Sequence, residues 1–165
     1  MLISASLCPL PDPFARLLDG NKSFARRTAE SNPSLLKQLA AGQSPEVLWL
    51  GCADSRVPET TVCSCQPGDI FVHRNIANVL TPGDASSESV IEYAVVHLGV
   101  KRVVVCGHTG CGGAKAAMGE ADLGSRLNGW LEPVRAIRRR HEKELGKLES
   151  VGDEMCSLSG MGMGW

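Results

Sequence analysis

An alternation of short apolar strands with helical segments through the middle of the 165-residue chain most constrains its fold. A compact apolar run over residues 47–50 ends at Gly51, and a valine-rich run spans residues 102–106. Between them, apolar residues recur with helical spacing from Val90 to Leu98 after Ser86 and Ser87, which are good capping residues. Strand, helix and strand in this order form a βαβ unit. The sequence therefore predicts an α/β fold with a mainly parallel central sheet flanked by helices.

Other segments extend this pattern on both sides. Short helices are predicted around residues 17–24 and 35–39, separated by a break at residues 31–33, and a second strand is predicted at residues 70–72. Another helix follows Gly112, and the last amphipathic helix runs through residues 127–145 with Pro133 in its first turn. Gly99 should end the helix that begins after Ser87.

The ends of the chain differ in character from this middle part. Residues 1–13 carry three prolines without hydrophobic periodicity, which predicts a loosely held arm. Residues 151–165 contain several glycines and again no period, which predicts an irregular tail. We therefore expect one α/β domain over residues 14–150.

Cysteine usage and charge exclude several classes of protein. The seven cysteines are an odd number in a chain without a secretory signal, which favours reduced thiols and a cytoplasmic location over a disulfide framework. A net charge of −1 predicts no nucleic-acid partner, and the balanced arginine run at residues 138–140 fits a solvated helix face. No segment approaches the about 20 apolar residues of a membrane-spanning helix.

Candidate metal ligands follow two of the predicted strands. Cys52 comes directly after the first strand, and His108 and Cys111 follow the strand that ends at Cys106. The carboxyl ends of parallel neighbours meet at one edge of a sheet, which is where ligands bind in α/β folds. A single cysteine or histidine is more often an ordinary core residue, but here three share one predicted edge. Two thiolates and one imidazole suit zinc, and three protein ligands leave the open position of a catalytic site.

The residues around these ligands resemble the two signature motifs of the β-class carbonic anhydrases. The motifs are Cys-Ala-Asp-Ser-Arg at residues 52–56 and Cys-Gly-His-Thr-Gly-Cys-Gly-Gly at residues 106–113. The resemblance covers roughly residues 14–145 and includes further motifs in the same order, at residues 66–69, 74–78, 92–95 and 130–131. It extends to the switching subclass of that family, in which a tryptophan and an arginine contribute to a regulatory bicarbonate site.

The resemblance implies a zinc enzyme that reversibly hydrates carbon dioxide to bicarbonate and a proton, with one zinc ion per subunit. In the family, zinc lowers the pKa of bound water towards about 7 and so provides a hydroxide nucleophile. Asp54 would accept a hydrogen bond from this hydroxide, and Arg56 would pair with Asp54 and keep it ionised. In the switching subclass the arginine releases the aspartate, which then becomes a fourth zinc ligand. Without the neighbouring cysteine, Asp54 and Arg56 would be read as a surface ion pair of little consequence.

The resemblance also assigns a substrate cleft and a partner. Some cleft residues reach the zinc from a second subunit, which implies a homodimer or a larger homo-oligomer. The corresponding residues here are Gln43, Phe71, Ile76, Tyr93 and Gly112. For Phe71 and Ile76, ordinary core packing is an equal alternative. Trp49 and Arg74 match two of the three residues of the regulatory bicarbonate site, although a strand tryptophan is a core residue by default.

Several alternatives stay open at this level. Typical family members continue into another helix and a further strand, so the resemblance implies that this chain would be shortened at its C-terminus. A catalytically weak or inactive zinc-binding protein is therefore one alternative, and hydrolysis of carbon disulfide or carbonyl sulfide at the same site is another. A redox function for Cys63-Ser64-Cys65 is weaker, because the spacing is C-x-C and not C-x-x-C.

Overall fold

The computed structural model describes residues 12–146, so nearly all of the predicted arm and the whole predicted tail lie outside the described residues. The chain falls into two compact units, Met1–Gln43 and Ser44–Trp165. The first contains α1 (Pro13–Ser31) and α2 (Leu35–Ala41). The side chain of Asp12 caps α1 by accepting a hydrogen bond from the Phe14 N–H, and Pro13 opens the helix, where its missing N–H does no harm. The predicted break between the two helices is confirmed.

The second unit carries the sheet and the remaining helices. Its elements, in chain order, are β1 (Val47–Cys52), α3 (Glu59–Val62), β2 (Ile70–Asn75), a single 3₁₀ turn (Ile76–Asn78), α4 (Ala85–Glu92), a π-helical turn (Tyr93–His97), β3 (Arg102–Cys106), α5 (Gly112–Met118), α6 (Ser125–Arg140) and α7 (Glu142–Leu145).

The three strands form one parallel sheet in the order β2-β1-β3. Because β1 is central, its residues from Leu48 to Cys52 are all buried, whereas β3 is exposed along much of its length. The pairing of Gly51 with Cys106 and of Cys52 with Asn75 aligns the carboxyl ends of all three strands. The predicted mainly parallel sheet in an α/β fold is confirmed.

The core of this unit lies between β1 and the helix that precedes β3. Leu48, Leu50 and Ala94 are buried together, and partly buried apolar side chains pack around them. Asp84 begins α4 by accepting hydrogen bonds from the Ser86 and Ser87 N–H groups. The predicted caps, Ser86 and Ser87, were therefore wrong, since Asp84 caps the helix and both serines lie inside its first turn. Among the described residues, no helix is long and apolar enough to cross a membrane.

The position of Pro133 differs from the prediction. α6 begins at Ser125, so Pro133 lies in the middle of the helix and not in its first turn. The helix also ends earlier than predicted, since His141 separates it from α7. Apolar spacing continued across this boundary in the sequence and did not reveal the break. The arginines of its last turn include Arg138, whose ion pair is with Glu120 at 2.7 Å.

Candidate metal centre

The parallel register of β1 and β3 brings the three predicted ligands together. Cys52 is the last residue of β1, and His108 and Cys111 lie in the loop that follows β3. The sulfur atoms of Cys52 and Cys111 are 3.8 Å apart, although 59 residues separate them in the sequence. The two sulfurs and a ring nitrogen of His108 all lie within 4.8 Å of one another. The three residues therefore form a group that could hold a metal ion.

His108 presents one nitrogen to this group. Its side chain is only 8% exposed, and its Nδ1 atom lies 3.0 Å from the Thr109 carbonyl oxygen. A carbonyl oxygen only accepts hydrogen bonds, so Nδ1 carries the proton and Nε2 keeps its lone pair. Within residues 12–146, the buried Nε2 atom has no hydrogen-bond partner. A buried lone pair without a donor is what a histidine metal ligand has before the metal binds.

The two thiols differ in their electrostatic surroundings. Burial raises the pKa of the Cys52 thiol, but hydrogen bonds that include those from the backbone N–H groups of Asp54 and Ala77 bring it below the ordinary value. Burial raises the pKa of Cys111, and the Cys52 thiolate beside it raises it further. Two neighbouring thiolates repel each other in a metal-free site, and a divalent cation between them removes that repulsion.

The donor set and its spacing fit zinc. Tetrahedral zinc with Zn–S distances of about 2.3 Å places two sulfur ligands about 3.8 Å apart, which is the separation of Cys52 and Cys111. Two soft thiolates and an imidazole are also ligands that zinc prefers. Within residues 12–146, Asp54 is not a member of the group, which therefore supplies three ligands.

Asp54 lies beside the ligand group and is held by Arg56. The guanidinium donates from Nε to Oδ1 at 2.9 Å and from Nη2 to Oδ2 at 2.7 Å, a fork that fixes both carboxylate oxygens. The Arg56 backbone N–H donates to the same Oδ1 at 3.0 Å. These hydrogen bonds hold the pKa of the Asp54 carboxyl well below its usual range. Asp54 is therefore an anion that accepts hydrogen bonds.

Two arginines also connect the loops that carry the ligands. Arg56 donates from Nη2 to the Gly110 carbonyl oxygen at 2.9 Å and so links the Asp54 loop to the loop after β3. Arg74 donates from Nε to the Cys52 carbonyl oxygen at 2.7 Å and from Nη2 to that of Asp54. Its Nη1 atom lies 3.5 Å from the Glu59 carboxylate. The sequence did not predict these contacts of Arg74. The only signal for them was the position of Arg74 near the end of β2, which neighbours β1.

The structure distributes the predicted cleft residues over several elements. Phe71 on β2 and Tyr93 at the start of the π-helical turn are in ring contact, with centroids 5.8 Å apart. Ile76 follows β2 and is exposed, and Gly112 begins α5 directly after Cys111. Gln43 is the last residue of the first unit. Their role in binding substrate stays a prediction.

Trp49 and Arg74 occupy different surroundings. Trp49 is 7% exposed in the central strand, and its indole lies over Gly51, where an added Cβ would collide with it. The Arg74 guanidinium donates hydrogen bonds to the backbone carbonyl oxygens of Cys52 and Asp54. A regulatory bicarbonate site at these two residues stays a prediction.

Comparison with known proteins identifies several similar ones. The family model described as carbonic anhydrase matches residues 47–159. A carbonic anhydrase of Emericella nidulans is 49% identical over 143 residues, which are 87% of this chain and 62% of that protein. A carbonic anhydrase of Candida albicans is 43% identical over 129 residues, 78% of this chain and 46% of that protein. A solved structure described among two tetrameric β-carbonic anhydrases from Sordaria macrospora has a TM-score of 0.79 at 49% identity, covering 81% of this chain and 68% of that one.

The matches cover most of this chain but only part of the relatives. The chain spans 62% of the length of the Emericella nidulans protein and 46% of the Candida albicans protein. All three predicted metal ligands, with Asp54 and Arg56, lie inside the region that the family model matches.

Proposed function

Because the chain belongs to the β-class carbonic anhydrase family, we propose that it catalyses the reversible hydration of carbon dioxide to bicarbonate and a proton. The observation that carries this proposal is the convergence of the Cys52 and Cys111 sulfurs with a ring nitrogen of His108, all within 4.8 Å of one another. These three atoms would hold one zinc ion per chain.

Zinc, when bound, supplies a Lewis acid that acidifies water and so provides a nucleophile near neutral pH. Two thiolate ligands offset the charge of the ion more than neutral imidazoles would. Side chains next to the site must therefore contribute more to orienting and deprotonating the attacking water. Asp54, the anionic side chain closest to the ligands in sequence, is the candidate for this role.

Asp54 is proposed as the catalytic residue that orients the attacking water. Its Oδ2 atom lies 3.9 Å from Nε2 of His108, so the carboxylate lies beside this ligand. As an anion it accepts a hydrogen bond from the water and directs an oxygen lone pair at the carbon of the substrate. Arg56 is the positioning residue of this pair, because its fork holds both carboxylate oxygens and prevents rotation.

The substrate is small and apolar, so its cleft should be mostly apolar with few donors. We assign Phe71, Ile76, Tyr93 and Gly112 to this cleft, while Gln43, in the first unit, stays a prediction from the sequence. The exposure of Ile76 and Tyr93, at 47% and 46%, supports this assignment, because an apolar side chain beside a substrate path stays uncovered in a single chain.

We further propose that the chain acts as a homodimer or larger homo-oligomer in the cytoplasm. The Sordaria macrospora relatives are described as tetrameric, and a second copy could cover the exposed cleft residues. The cytoplasmic location is supported by the chemistry of Cys52 and Cys111, which must both be reduced to bind metal although their sulfurs are only 3.8 Å apart. Light scattering on the purified chain tests the first statement, and an active monomer would contradict it.

The two alternatives have less support. A zinc-binding protein without turnover would not need the forked Asp54–Arg56 pair beside the three ligands. Hydrolysis of carbon disulfide or carbonyl sulfide could use the same groups, but nothing within residues 12–146 favours it over carbon dioxide hydration.

The proposed function is tested by metal analysis combined with stopped-flow carbon dioxide hydration. The wild-type chain should contain one zinc ion and accelerate hydration at neutral to alkaline pH. Cys52→Ser should lose both metal and activity, whereas Cys63→Ser should keep both, since Cys63 is an exposed thiol outside the ligand group. Stoichiometric zinc without hydration would favour the inactive alternative, and absence of stable zinc would contradict both.

A further inference from the structure

The carboxyl ends of β1 and β3 are joined by one side chain that neither strand supplies. The amide nitrogen of Asn78 donates to the Leu50 carbonyl oxygen and to the Cys106 carbonyl oxygen, both at 3.3 Å. Leu50 precedes the ligand Cys52 by two residues, and Cys106 precedes the ligand His108 by two residues. The two N–H groups of the Asn78 amide therefore bind each strand two residues before its first metal ligand.

The position of Asn78 suits this contact because the regular ladder ends there. Gly51 and Cys106 are the last paired residues of β1 and β3. Beyond this pair, no strand pairing within residues 12–146 holds the two ligand segments at a set distance. The Asn78 oxygen Oδ1 is buried and has no hydrogen-bond partner in the described residues. Only the donor half of the amide is used, so the contact needs a side chain with two N–H groups.

The loop that presents Asn78 is held in an unusual conformation. Ala77 and Asn78 have φ angles of +63° and +51°, in the left-handed region. Such backbone persists only where the surroundings enforce it. Here the Asn75 side chain accepts from the Val79 N–H at 2.7 Å and donates to the Val79 carbonyl at 2.8 Å. The Trp130 indole donates to the Ile76 carbonyl oxygen at 2.8 Å.

The same loop also contacts the segment that carries the third ligand. A Cβ added to Gly113 would lie 2.8 Å from the Ala77 Cβ and 3.2 Å from the Ala77 nitrogen. The backbone two residues after Cys111 thus packs directly on the loop. All three ligands therefore belong to segments that the Ile76–Asn78 turn and the strands beneath it hold together.

We propose that Asn78 is a positioning residue of the metal centre, whose amide sets the distance between Cys52 on β1 and the His108–Cys111 loop after β3. This inference rests on the proposed function only in taking Cys52, His108 and Cys111 as metal ligands. It concerns the geometry of the ligands and does not require that the chain turn over carbon dioxide. Asn78 itself lies outside the group of ligating atoms.

Two substitutions test this role from different sides. Asn78→Asp keeps the shape of the side chain and places carboxylate oxygens against two carbonyl oxygens, which repels both strands. Asn78→Gly removes the amide but retains the left-handed backbone at no steric cost. Both should weaken zinc affinity about 10- to 100-fold, the usual effect of losing a group that orients metal ligands. Zinc affinity is measured by competition with a chromophoric chelator.

The cobalt-substituted protein supplies a second readout. Cobalt(II) d–d and thiolate charge-transfer bands report ligand geometry, and both variants should shift or broaden them relative to the wild type. Asn128→Asp is the matched control, because Asn128 contacts Asp122 and Arg135 at the start of α6. This control should leave the cobalt spectrum unchanged even if it lowers the melting temperature.

Three results would overturn the proposal. Wild-type zinc affinity and an unchanged cobalt spectrum in the folded Asn78 variants would show that the amide does not set the ligand geometry. A cobalt spectrum altered equally by Asn128→Asp would show a general effect of destabilisation. Loss of the folded circular dichroism spectrum in both metal-free Asn78 variants would assign the residue to the stability of the whole sheet. A wild-type chain that binds zinc but does not hydrate carbon dioxide contradicts only the proposed function and leaves this test valid.

Discussion

The Oδ2 atom of Asp54 lies 3.9 Å from the Nε2 atom of His108. This distance places the carboxylate next to the ligand group without making it a member. The fork from Arg56 helps to fix this arrangement, because it donates a hydrogen bond to each carboxylate oxygen of Asp54. His108 would therefore bind the metal and Asp54 would orient the water. Substitutions can test these two roles independently.

Removing the charge of Asp54 should strongly reduce turnover while leaving the metal bound. Asp54→Asn keeps the size of the side chain but replaces an acceptor with an amide. We expect hydration to fall by about 10²- to 10⁴-fold, the usual contribution of a positioned acid–base group. Stopped-flow assays and zinc analysis measure the two quantities. The exposed Asp19→Asn is the control, and unchanged hydration by Asp54→Asn would exclude the role given to Asp54.

The geometry of the Arg56 fork should matter as well as its charge. Arg56→Lys keeps the positive charge, but an ammonium group cannot donate to both carboxylate oxygens in a fixed plane. We expect turnover to fall about 10- to 100-fold with zinc retained. Arg139→Lys, which changes an exposed pair with Glu132 on α6, serves as the control. Equal activity of the lysine variant and the wild type would mean that charge alone suffices.

Gly113 should be the glycine of α5 that tolerates no side chain. The added Cβ of Gly113→Ala would meet the Ala77 backbone nitrogen at 3.2 Å, and such overpacking costs about 1–3 kcal/mol. At Gly129 on α6 nothing lies within 4 Å of an added Cβ, so Gly129→Ala should stabilise the helix by about 0.5–1 kcal/mol. Thermal denaturation should therefore show melting temperatures that move in opposite directions. A Gly113→Ala protein as stable as the wild type would contradict the close packing.

Acid should remove the contribution of Asp84 to stability. The Ser87 hydroxyl donates to Asp84 Oδ2 at 2.8 Å, and this hydrogen bond with the first N–H groups of α4 holds the pKa of Asp84 below 3.8. The unfolded chain then binds a proton more readily than the folded one, so the contribution is complete above pH 3.8 and is lost as the pH falls through the folded-state pKa.

Asp84→Asn provides the test, because asparagine still caps the helix but does not titrate. The difference in stability between the wild type and this variant should narrow as the pH falls from about 5 to about 2. Circular dichroism melting curves at a series of pH values measure this difference. A difference that stays constant over the range would show that the charge of Asp84 does not stabilise the fold.

Local patterns predicted the main elements and the ligand set. The valine-rich run was predicted to form a strand over residues 102–106, which is the span of β3, because a short run of β-branched residues favours a strand. The convergence of Cys52 with His108 and Cys111 also followed from local information, since parallel strands align their carboxyl ends. The same patterns misplaced the cap of α4 and Pro133 of α6, where apolar spacing does not mark the end of a helix.

The sequence by itself thus determined the strands, their parallel arrangement and the chemistry of the three ligands. Only the tertiary structure decided that the Arg74 guanidinium binds the Asp54 loop and that the Asn78 amide joins β1 to β3. Hydrophobic periodicity reports which face of an element is buried. A hydrogen bond between residues 20 or 28 positions apart depends on strand register and on a left-handed turn, and neither has a periodic signature in the sequence.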